Sequence, residues 1–212
     1  MRGFLYSLCI WLLVASGTFL LVCGGMDYWE SRSAQREIAQ EWQDQQTVAE
    51  PAPQIPPADS GIGTARPRRP TPLPQSGSAV AKLSIPRLDT VLYVVEGTDD
   101  RDLKRGPGHL EGTVMPGEDG NCVIAGHRDT HFRVLKNIHD GDEIILERSG
   151  HRFRYKVDGL TVVSPDNTAS LRPSSHPVLN LITCYPFHYV GSAPKRFIVH
   201  ADLENSALEA SR

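Results

Sequence analysis

Apolar residues follow two different patterns along the 212-residue chain. Residues 4–26 form one long apolar run, whereas from about residue 79 onward the apolar residues come in short runs separated by turn signals. Short β-prone runs bounded by Gly, Pro, Asp and Ser predict strands. They occur at 81–85, 91–95, 121–126, 143–148, 153–157, 160–163, 178–184 and 196–201, while residues 100–104 and 132–136 have the pattern of helical turns.

The spacing of these runs predicts an all-β domain. Eight short strands in one domain favour a closed barrel, because closure leaves no exposed edge strand. The clearest hairpin is at 147–155, with Ser149 and Gly150 at its turn. We therefore expect an eight-stranded barrel over residues 79–203 with one or two short helices, followed by a frayed tail at 204–212.

The first apolar run predicts a membrane anchor. Residues 4–26 carry no charged side chain, and 23 residues are enough to cross a bilayer as one helix. The alternatives are a cleaved signal peptide, which normally has a shorter apolar run, and a lipoprotein signal at Cys23, where Val22 replaces the expected small residue. Arg2 on one side and Arg32 and Arg36 on the other leave the orientation undecided by charge. We expect an uncleaved transmembrane helix at 1–26, with the domain outside the membrane.

Between the anchor and the barrel, the composition changes twice. Residues 27–46 are charged and glutamine-rich, with Trp29, Ile38 and Trp42 as the only large apolar side chains, and are interpreted as a short juxtamembrane helix. Residues 47–78 contain eight of the sixteen prolines, which is typical of an extended linker. Residues 27–78 are thus predicted to be a juxtamembrane segment and a Pro-rich linker.

Charge and cysteine content narrow the possible functions. The net charge of -3, without a basic cluster among aromatic residues, argues against nucleic acid as a partner. Cys9 and Cys23 lie in the apolar run, which leaves Cys122 and Cys184 in the domain. On a continuous strand Cys122 has the opposite parity to His127, so it is predicted to be a core residue and not a disulfide partner of Cys184.

Three side chains in the domain point to nucleophilic catalysis. The stretch LITCYPFHYVGSAPKRFIV, residues 181–199, places Cys184 at the end of one predicted strand and Arg196 at the start of the next. His127 ends another apolar run and opens a polar loop. A thiol, an imidazole and a guanidinium brought together form a nucleophile, an acid–base group and an oxyanion donor.

These residues stand in motifs that resemble those of the sortases, the cysteine transpeptidases of bacterial surfaces. The similarity is greatest to the class D branch and covers about residues 83–201. It rests on seven motifs in register: IPRL, VVEGTD, GPGH, PGEDGN, IAGHRDT, TCYPF and VGSAPKRFIV.

The resemblance implies a reaction and its participants. Cys184 would attack the threonine carbonyl of an LPXTG-like sorting signal to give a thioester, and His127 would protonate the leaving amine and then deprotonate an acceptor amine. Arg196 would hold the carbonyl oxygen or the developing oxyanion. The expected partners are secreted proteins with such a C-terminal signal and an amine acceptor, such as a peptidoglycan peptide or another surface protein. No cofactor is expected, and the enzyme would sit on the bacterial cell membrane with its catalytic domain outside.

Five further residues are candidates for substrate binding or for support of the site. Thr183 precedes the cysteine, and the class D pattern often has other residues at the positions of Asn180 and His131. The remaining two, in the GPGH motif and the loop after the cysteine, are histidines that could approach the cleft. The set is Thr183, His109, His131, Asn180 and His188.

The sequence is also compatible with other functions. His127, Asp129 and His131 alternate, so on a continuous strand they would face one way and could bind zinc. Hydrolysis of the same acyl-enzyme would make the protein a surface cysteine peptidase that releases proteins. Glu118 and Asp119 give a weak signal for a calcium loop that would modulate the enzyme.

Overall fold

The computed structural model describes residues 2–48, 74–189, 191–204 and 209–210. Within the first helix, side chains are described for residues 6–7, 10–19 and 32–47. The predicted Pro-rich linker lies largely outside the described residues, because they stop at 48 and resume at 74.

The described chain contains two α-helices, nine strands and three short 3-10 helices. The helices are α1 (Arg2–Val48) and α2 (Asp100–Arg105). The strands are β1 (Ala79–Ile85), β2 (Thr90–Glu96), β3 (Gly108–His109), β4 (Asn121–Gly126), β5 (Glu143–Arg148), β6 (His151–Val163), β7 (Val178–Tyr185), β8 (Lys195–Leu203) and β9 (Glu209–Ala210). The 3-10 helices are Pro86–Leu88, His131–Asn137 and Ala169–Leu171.

Eight of the strands close into a barrel. The order is β5-β1-β2-β3-β4-β7-β8-β6, and the antiparallel pairing of β5 with β6 completes the ring. β9 adds to the start of β6. The predicted eight-stranded barrel with few helices is therefore confirmed.

The eight barrel strands are not the eight that the sequence predicts. The predicted strands at 153–157 and 160–163 are one strand, β6, because the register shift between Val157 and Gly159 absorbs Asp158 as a bulge. β3 has only two residues, too few to show a periodic pattern. Part of the tail predicted to fray is also ordered, since Glu209 and Ala210 pair with β6.

The barrel interior is filled by alternating side chains. In β1, Ala81, Leu83 and Ile85 are fully buried, whereas Lys82 and Ser84 between them are half-buried on the other face. Strands β2 and β4 to β8 add further buried side chains. The cluster at the centre includes Val94, Cys122, Ile124, Ile144, Leu146, Tyr155, Leu179, Leu181, Val199 and Ala201.

The later part of α1 packs against the outside of the barrel. Ile38 and Trp42 are 0% and 6% exposed and form a small cluster with Ala79 and Val95. The side-chain amide of Gln35 makes two hydrogen bonds to β2. It accepts one from the Tyr93 N–H at 2.8 Å and donates one to the Tyr93 carbonyl at 3.1 Å. The segment interpreted as a juxtamembrane helix is thus helical, and it is a packed part of the folded unit.

The first part of α1 contains the predicted membrane anchor. Among the residues that the structure describes, no helix combines the length and the apolar character needed to cross a membrane. Many side chains of residues 4–26 lie outside the described set. The transmembrane helix is therefore not supported by the structure.

Candidate active site

Strand register brings the three predicted catalytic residues to one edge of the barrel. β7 lies between β4, to which it is parallel, and β8, to which it is antiparallel. Cys184 pairs directly with Arg196, and Thr183 pairs with Gly126, the residue before His127. Neighbouring strands are about 4.8 Å apart. Cys184 is therefore flanked by Arg196 on one side and by the start of the His127 loop on the other.

These residues share the outer face of the barrel. On β7, Leu179 and Leu181 point into the core, so Asn180, Ile182 and Cys184 have the outward parity. On β8, Val199 and Ala201 are core residues, which gives Arg196 the outward parity as well. His127 continues the outward series of Val123 and Ala125 on β4. Cys184, His127 and Arg196 are all half-buried, as groups in a groove would be.

The backbone before His127 is held from both sides. The buried hydroxyl of Thr183 donates to the Gly126 carbonyl at 2.7 Å. The Phe132 N–H donates to the His127 carbonyl at 3.0 Å and closes the loop. A Cβ on Gly126 would stand 2.7 Å from the Phe132 ring, so glycine is what allows this ring to pack beneath the loop. Thr183 therefore holds the backbone just before His127 from within the barrel.

Arg128, the residue after the histidine, connects the two halves of the site. Its guanidinium donates to the carbonyls of Pro186 at 3.2 Å, Tyr189 at 3.0 Å and Gly191 at 3.0 Å. It also lies 5.7 Å from the centroid of the Tyr189 ring, within cation–π range. The histidine loop thereby holds the loop that follows Cys184. The sequence prediction missed this role, although the signal was an arginine directly beside the histidine.

Aromatic packing fixes the base of the same loop. Tyr185, Phe187 and Phe197 contact one another with ring centroids 5.4 to 6.3 Å apart. One Arg196 terminal nitrogen donates to the carbonyls of Ala193 at 3.3 Å and Lys195 at 3.1 Å. Both ends of the loop between β7 and β8 are thus tied down beside Cys184.

Asn180 lies on the outer face but is covered. Its side chain is buried and donates to the Asn121 side-chain oxygen at 2.8 Å. Asn121 in turn donates to the carbonyls of Ser170 at 2.7 Å and Arg172 at 2.9 Å. Asn180 therefore anchors the loop between β6 and β7, and its position does not expose it to a substrate.

The three remaining candidates have different surroundings. His109 is 2% exposed, and its ring contacts the Glu96 carboxylate at 2.9 Å and the Val114 carbonyl at 3.1 Å, so it is an interior residue. His131 is also buried, and desolvation lowers its pKa. Only His188 is exposed, where it lines a shallow cavity shared with Asp129, Arg133, Phe187 and Tyr189.

The zinc alternative does not match the backbone. β4 ends at Gly126, and His131 already begins a 3-10 helix, so His127, Asp129 and His131 do not alternate along one strand. Among the described side chains, the one group able to hold an ion is Asp158 with His200 and Asp202, and it does not include these three. In the predicted calcium loop, Glu118 accepts a hydrogen bond from Arg148 at 2.8 Å.

The two domain cysteines differ in their chemistry. Both are free thiols, which agrees with the expectation that they do not pair. Cys122 is 1% exposed in the core, and desolvation raises its pKa far above the usual range of a thiol. Cys184 is half-buried at the strand end beside Arg196. Of these two thiols, Cys184 is the one placed to act as a nucleophile.

Comparison with known proteins agrees with this geometry. The family model described as "Sortase domain" matches residues 83–204, more than half of the chain. Sortase D of Bacillus subtilis (strain 168) is 41% identical over 128 residues, which cover 60% of this chain and 65% of that protein. The alignment thus spans just under two thirds of the relative's length.

Solved structures give the same assignment. A Clostridium perfringens Sortase D5 transpeptidase superposes with a TM-score of 0.60 at 24% identity, covering 83% of this chain and 99% of that chain, and shows the shared fold. Sortase A from Corynebacterium diphtheriae has a TM-score of 0.57 at 32% identity, covering 62% of this chain and 63% of that chain. With its barrel, its site and its matching motifs, this chain belongs to the sortase family.

Proposed function

We propose that the protein is a transpeptidase that cleaves an LPXTG-like sorting signal after its threonine and transfers the new carboxyl end to an amine. The main support for this proposal is the strand register of β7 with β4 and β8. Cys184 pairs directly with Arg196, and His127 follows Gly126, which pairs with Thr183, so these three residues are neighbours along the strand register and this supports the proposal.

The proposed reaction uses these groups in two steps. The Cys184 thiolate attacks the threonine carbonyl carbon, and Arg196 donates hydrogen bonds to the oxygen as negative charge develops there. The peptide C–N bond then breaks, and His127 gives its proton to the leaving glycine nitrogen. The resulting thioester is attacked by an acceptor amine, whose proton passes to His127. A new amide bond forms, and Cys184 leaves as the thiolate.

The test compares two cysteines in the same chain. Wild-type protein is incubated with an LPXTG-type peptide, and the mass of the protein is measured with and without an added amine. We expect an acyl adduct that Cys184→Ala abolishes and that Cys122→Val retains, since the Cys122 thiol is buried and protonated. Arg196→Ala should lose nearly all cleavage while it keeps the fold.

The product distinguishes transfer from hydrolysis. A peptide–amine conjugate is expected when the amine is present. If the peptide is cleaved but only the free acid forms across a panel of amines, the protein is a surface cysteine peptidase and not a transpeptidase. Absence of any Cys184 adduct across a panel of LPXTG-type peptides would refute the substrate class.

The proposed location is the outer side of a bacterial cell membrane. The support is the uncharged apolar run at 4–26, which is followed by a charged segment. The proposed partners, secreted proteins with a C-terminal sorting signal and an amine acceptor at the cell surface, would be met there. Membrane fractionation of cells that express the full chain, with and without residues 4–26, tests this. Recovery of the full chain in the soluble fraction would contradict it.

A further inference from the structure

A group of histidine and aspartate side chains lies on the outer face of the barrel, away from Cys184. We call Asp158, His176, His200 and Asp202 the His–Asp cluster. The ligand atoms of Asp158, His200 and Asp202 all lie within 4.8 Å of one another. His200 Nδ1 is 2.6 Å from an Asp158 oxygen, and His176 Nε2 is 3.2 Å from an Asp202 oxygen.

Three parts of the backbone build this cluster. His200 and Asp202 alternate on β8 with the core residues Val199 and Ala201, so both point outward. The bulge in β6 leaves Asp158 without a partner on β8 and places its carboxylate against His200. His176 comes from the end of the loop between β6 and β7 and reaches Asp202.

The two His–Asp pairs bring their carboxylates close together. Separate His–Asp pairs would be expected to keep their carboxylates apart, because like charges repel. Here oxygens of Asp158 and Asp202 lie within 4.8 Å of each other. The adjoining cavity also carries the side chains of Asp140 and Glu204, with Lys156 as its one basic group. An excess of negative charge at this point favours a cation.

The donor atoms indicate which cation. Imidazole nitrogen together with carboxylate oxygen suits zinc and similar transition metals, whereas calcium and magnesium prefer oxygen alone. Two carboxylates neutralise a doubly charged ion. His200 can offer Nδ1 when its proton moves to Nε2, so no extra base is needed.

We propose that Asp158, His200 and Asp202, with His176 as the fourth ligand, bind one Zn²⁺ ion. The cluster is separate from the active site, because His200 is four residues from Arg196 on β8, about 13 Å along the strand. The ion joins β6, β8 and the loop between β6 and β7. It therefore stabilises the fold on the face that also carries Cys184, and the proposal does not depend on the reaction assigned to that residue.

The test measures metal binding by the full chain purified without a polyhistidine tag. Cys184→Ala serves as the background, so that the Cys184 thiol contributes no metal ligand. Titration calorimetry with Zn²⁺ should give one saturable site per chain, and Mg²⁺ should give none. Co²⁺ should produce the visible absorption of a tetrahedral nitrogen–oxygen site, without the near-ultraviolet band of thiolate ligation.

Variants then locate the site. His200→Ala and Asp202→Asn should each weaken Zn²⁺ binding by at least about tenfold. His151→Ala, which removes an exposed histidine from the same strand as Asp158, should leave it unchanged. At a hundredfold excess over the dissociation constant, Zn²⁺ should raise the unfolding temperature of the background protein by about 5 to 10 °C.

Each contrary result overturns the proposal. No saturable Zn²⁺ binding means that the cluster is only a set of surface ion pairs, and equal binding by His200→Ala places any zinc elsewhere. If His200→Ala fails to fold without metal, Asp158→Asn replaces it, since this change keeps the size of the side chain. Undiminished Zn²⁺ binding by folded Asp158→Asn would then refute the assignment.

Discussion

The contact between Arg128 and the loop after Cys184 leads to a specific prediction about catalysis. Arg128→Ala removes three hydrogen bonds, to the carbonyls of Pro186, Tyr189 and Gly191, and the stacking on Tyr189. Cys184, His127 and Arg196 stay on their strand ends, because their positions depend on barrel register. The change should therefore release the loop while it leaves the reacting groups in place.

The size of the effect follows from the interactions that the substitution removes. Hydrogen bonds at sites reached by solvent contribute about 1 kcal/mol each, and an exposed cation–π contact contributes about 0.5 to 1 kcal/mol. The sum is about 3.5 to 4 kcal/mol, which sets an upper limit of about several hundredfold on the shift toward the released loop. Lysine has a single ammonium group and cannot reach three carbonyls in the same way, so Arg128→Lys should keep only part of this stabilising free energy.

Two measurements check the prediction. Hydrogen exchange should become faster at residues 187–189 in Arg128→Ala, and steady-state cleavage of an LPXTG-type peptide should show kcat/KM reduced by about 10- to 100-fold. Most of the loss should appear in KM, because substrate binding then requires the loop to be reordered. Arg101→Ala, which removes an exposed arginine from α2, is the matched control.

One outcome would refute the reasoning directly. If Arg128→Ala shows the loop exchange rates and the kcat/KM of the Arg101→Ala control, the contacts of Arg128 do not order the loop. A fall in kcat alone, with unchanged exchange, would mean that Arg128 acts on the chemical step and not through the loop.

Three further predictions concern stability. Trp42→Ala should weaken the packing of α1 by about 3 kcal/mol, seen as faster hydrogen exchange at residues 35–42 with unchanged exchange in the β7 core. A hydrogen bond from Arg87 lowers the pKa of Asp142. The ionised carboxylate therefore stabilises the fold above about pH 4, and this contribution is lost as the pH falls through the pKa of the folded state. The free energy of unfolding in urea should lack this pH dependence in Asp142→Asn. Burial lowers the pKa of His131, so below about pH 6.5 the unfolded chain binds a proton that the folded chain does not. The free energy of unfolding should therefore decrease as the pH is lowered, and His131→Gln should reduce this pH dependence.

The sequence predicted the residues of the proposed catalytic edge of the barrel because the signals for them are local. Cys184 and Arg196 end and begin strong apolar runs, and His127 stands at the end of another. The family resemblance supplied the order of these residues and their roles. Which strands would be neighbours could not be read from periodicity, because pairing between β4 and β7 is parallel and distant in sequence.

The features that were missed depend on contacts across the fold. Asn180 has the outward parity of a groove residue, and only the tertiary contact with Asn121 shows that it is covered. The β6 bulge reads as a turn because Asp158 and Gly159 are turn-prone residues. The packing of α1 did have a signal, since Gln35, Ile38 and Trp42 follow an i, i+3, i+7 spacing and share one helix face.

Because residues 35–42 of α1 pack against the barrel, the length of the Pro-rich segment does not determine how far this part of α1 lies from the barrel. The Glu41 carboxylate accepts a hydrogen bond from the Ala79 N–H at 3.2 Å, so two points 38 residues apart in sequence lie together. The two ends of the intervening sequence therefore lie close together, and doubling the length of a chain segment between two such points costs only about 0.6 kcal/mol. Insertions at 49–73 should therefore leave the position of the barrel relative to α1 unchanged. The distance between the barrel and any attachment near the start of the chain is then set by the length of the helix before Gln35.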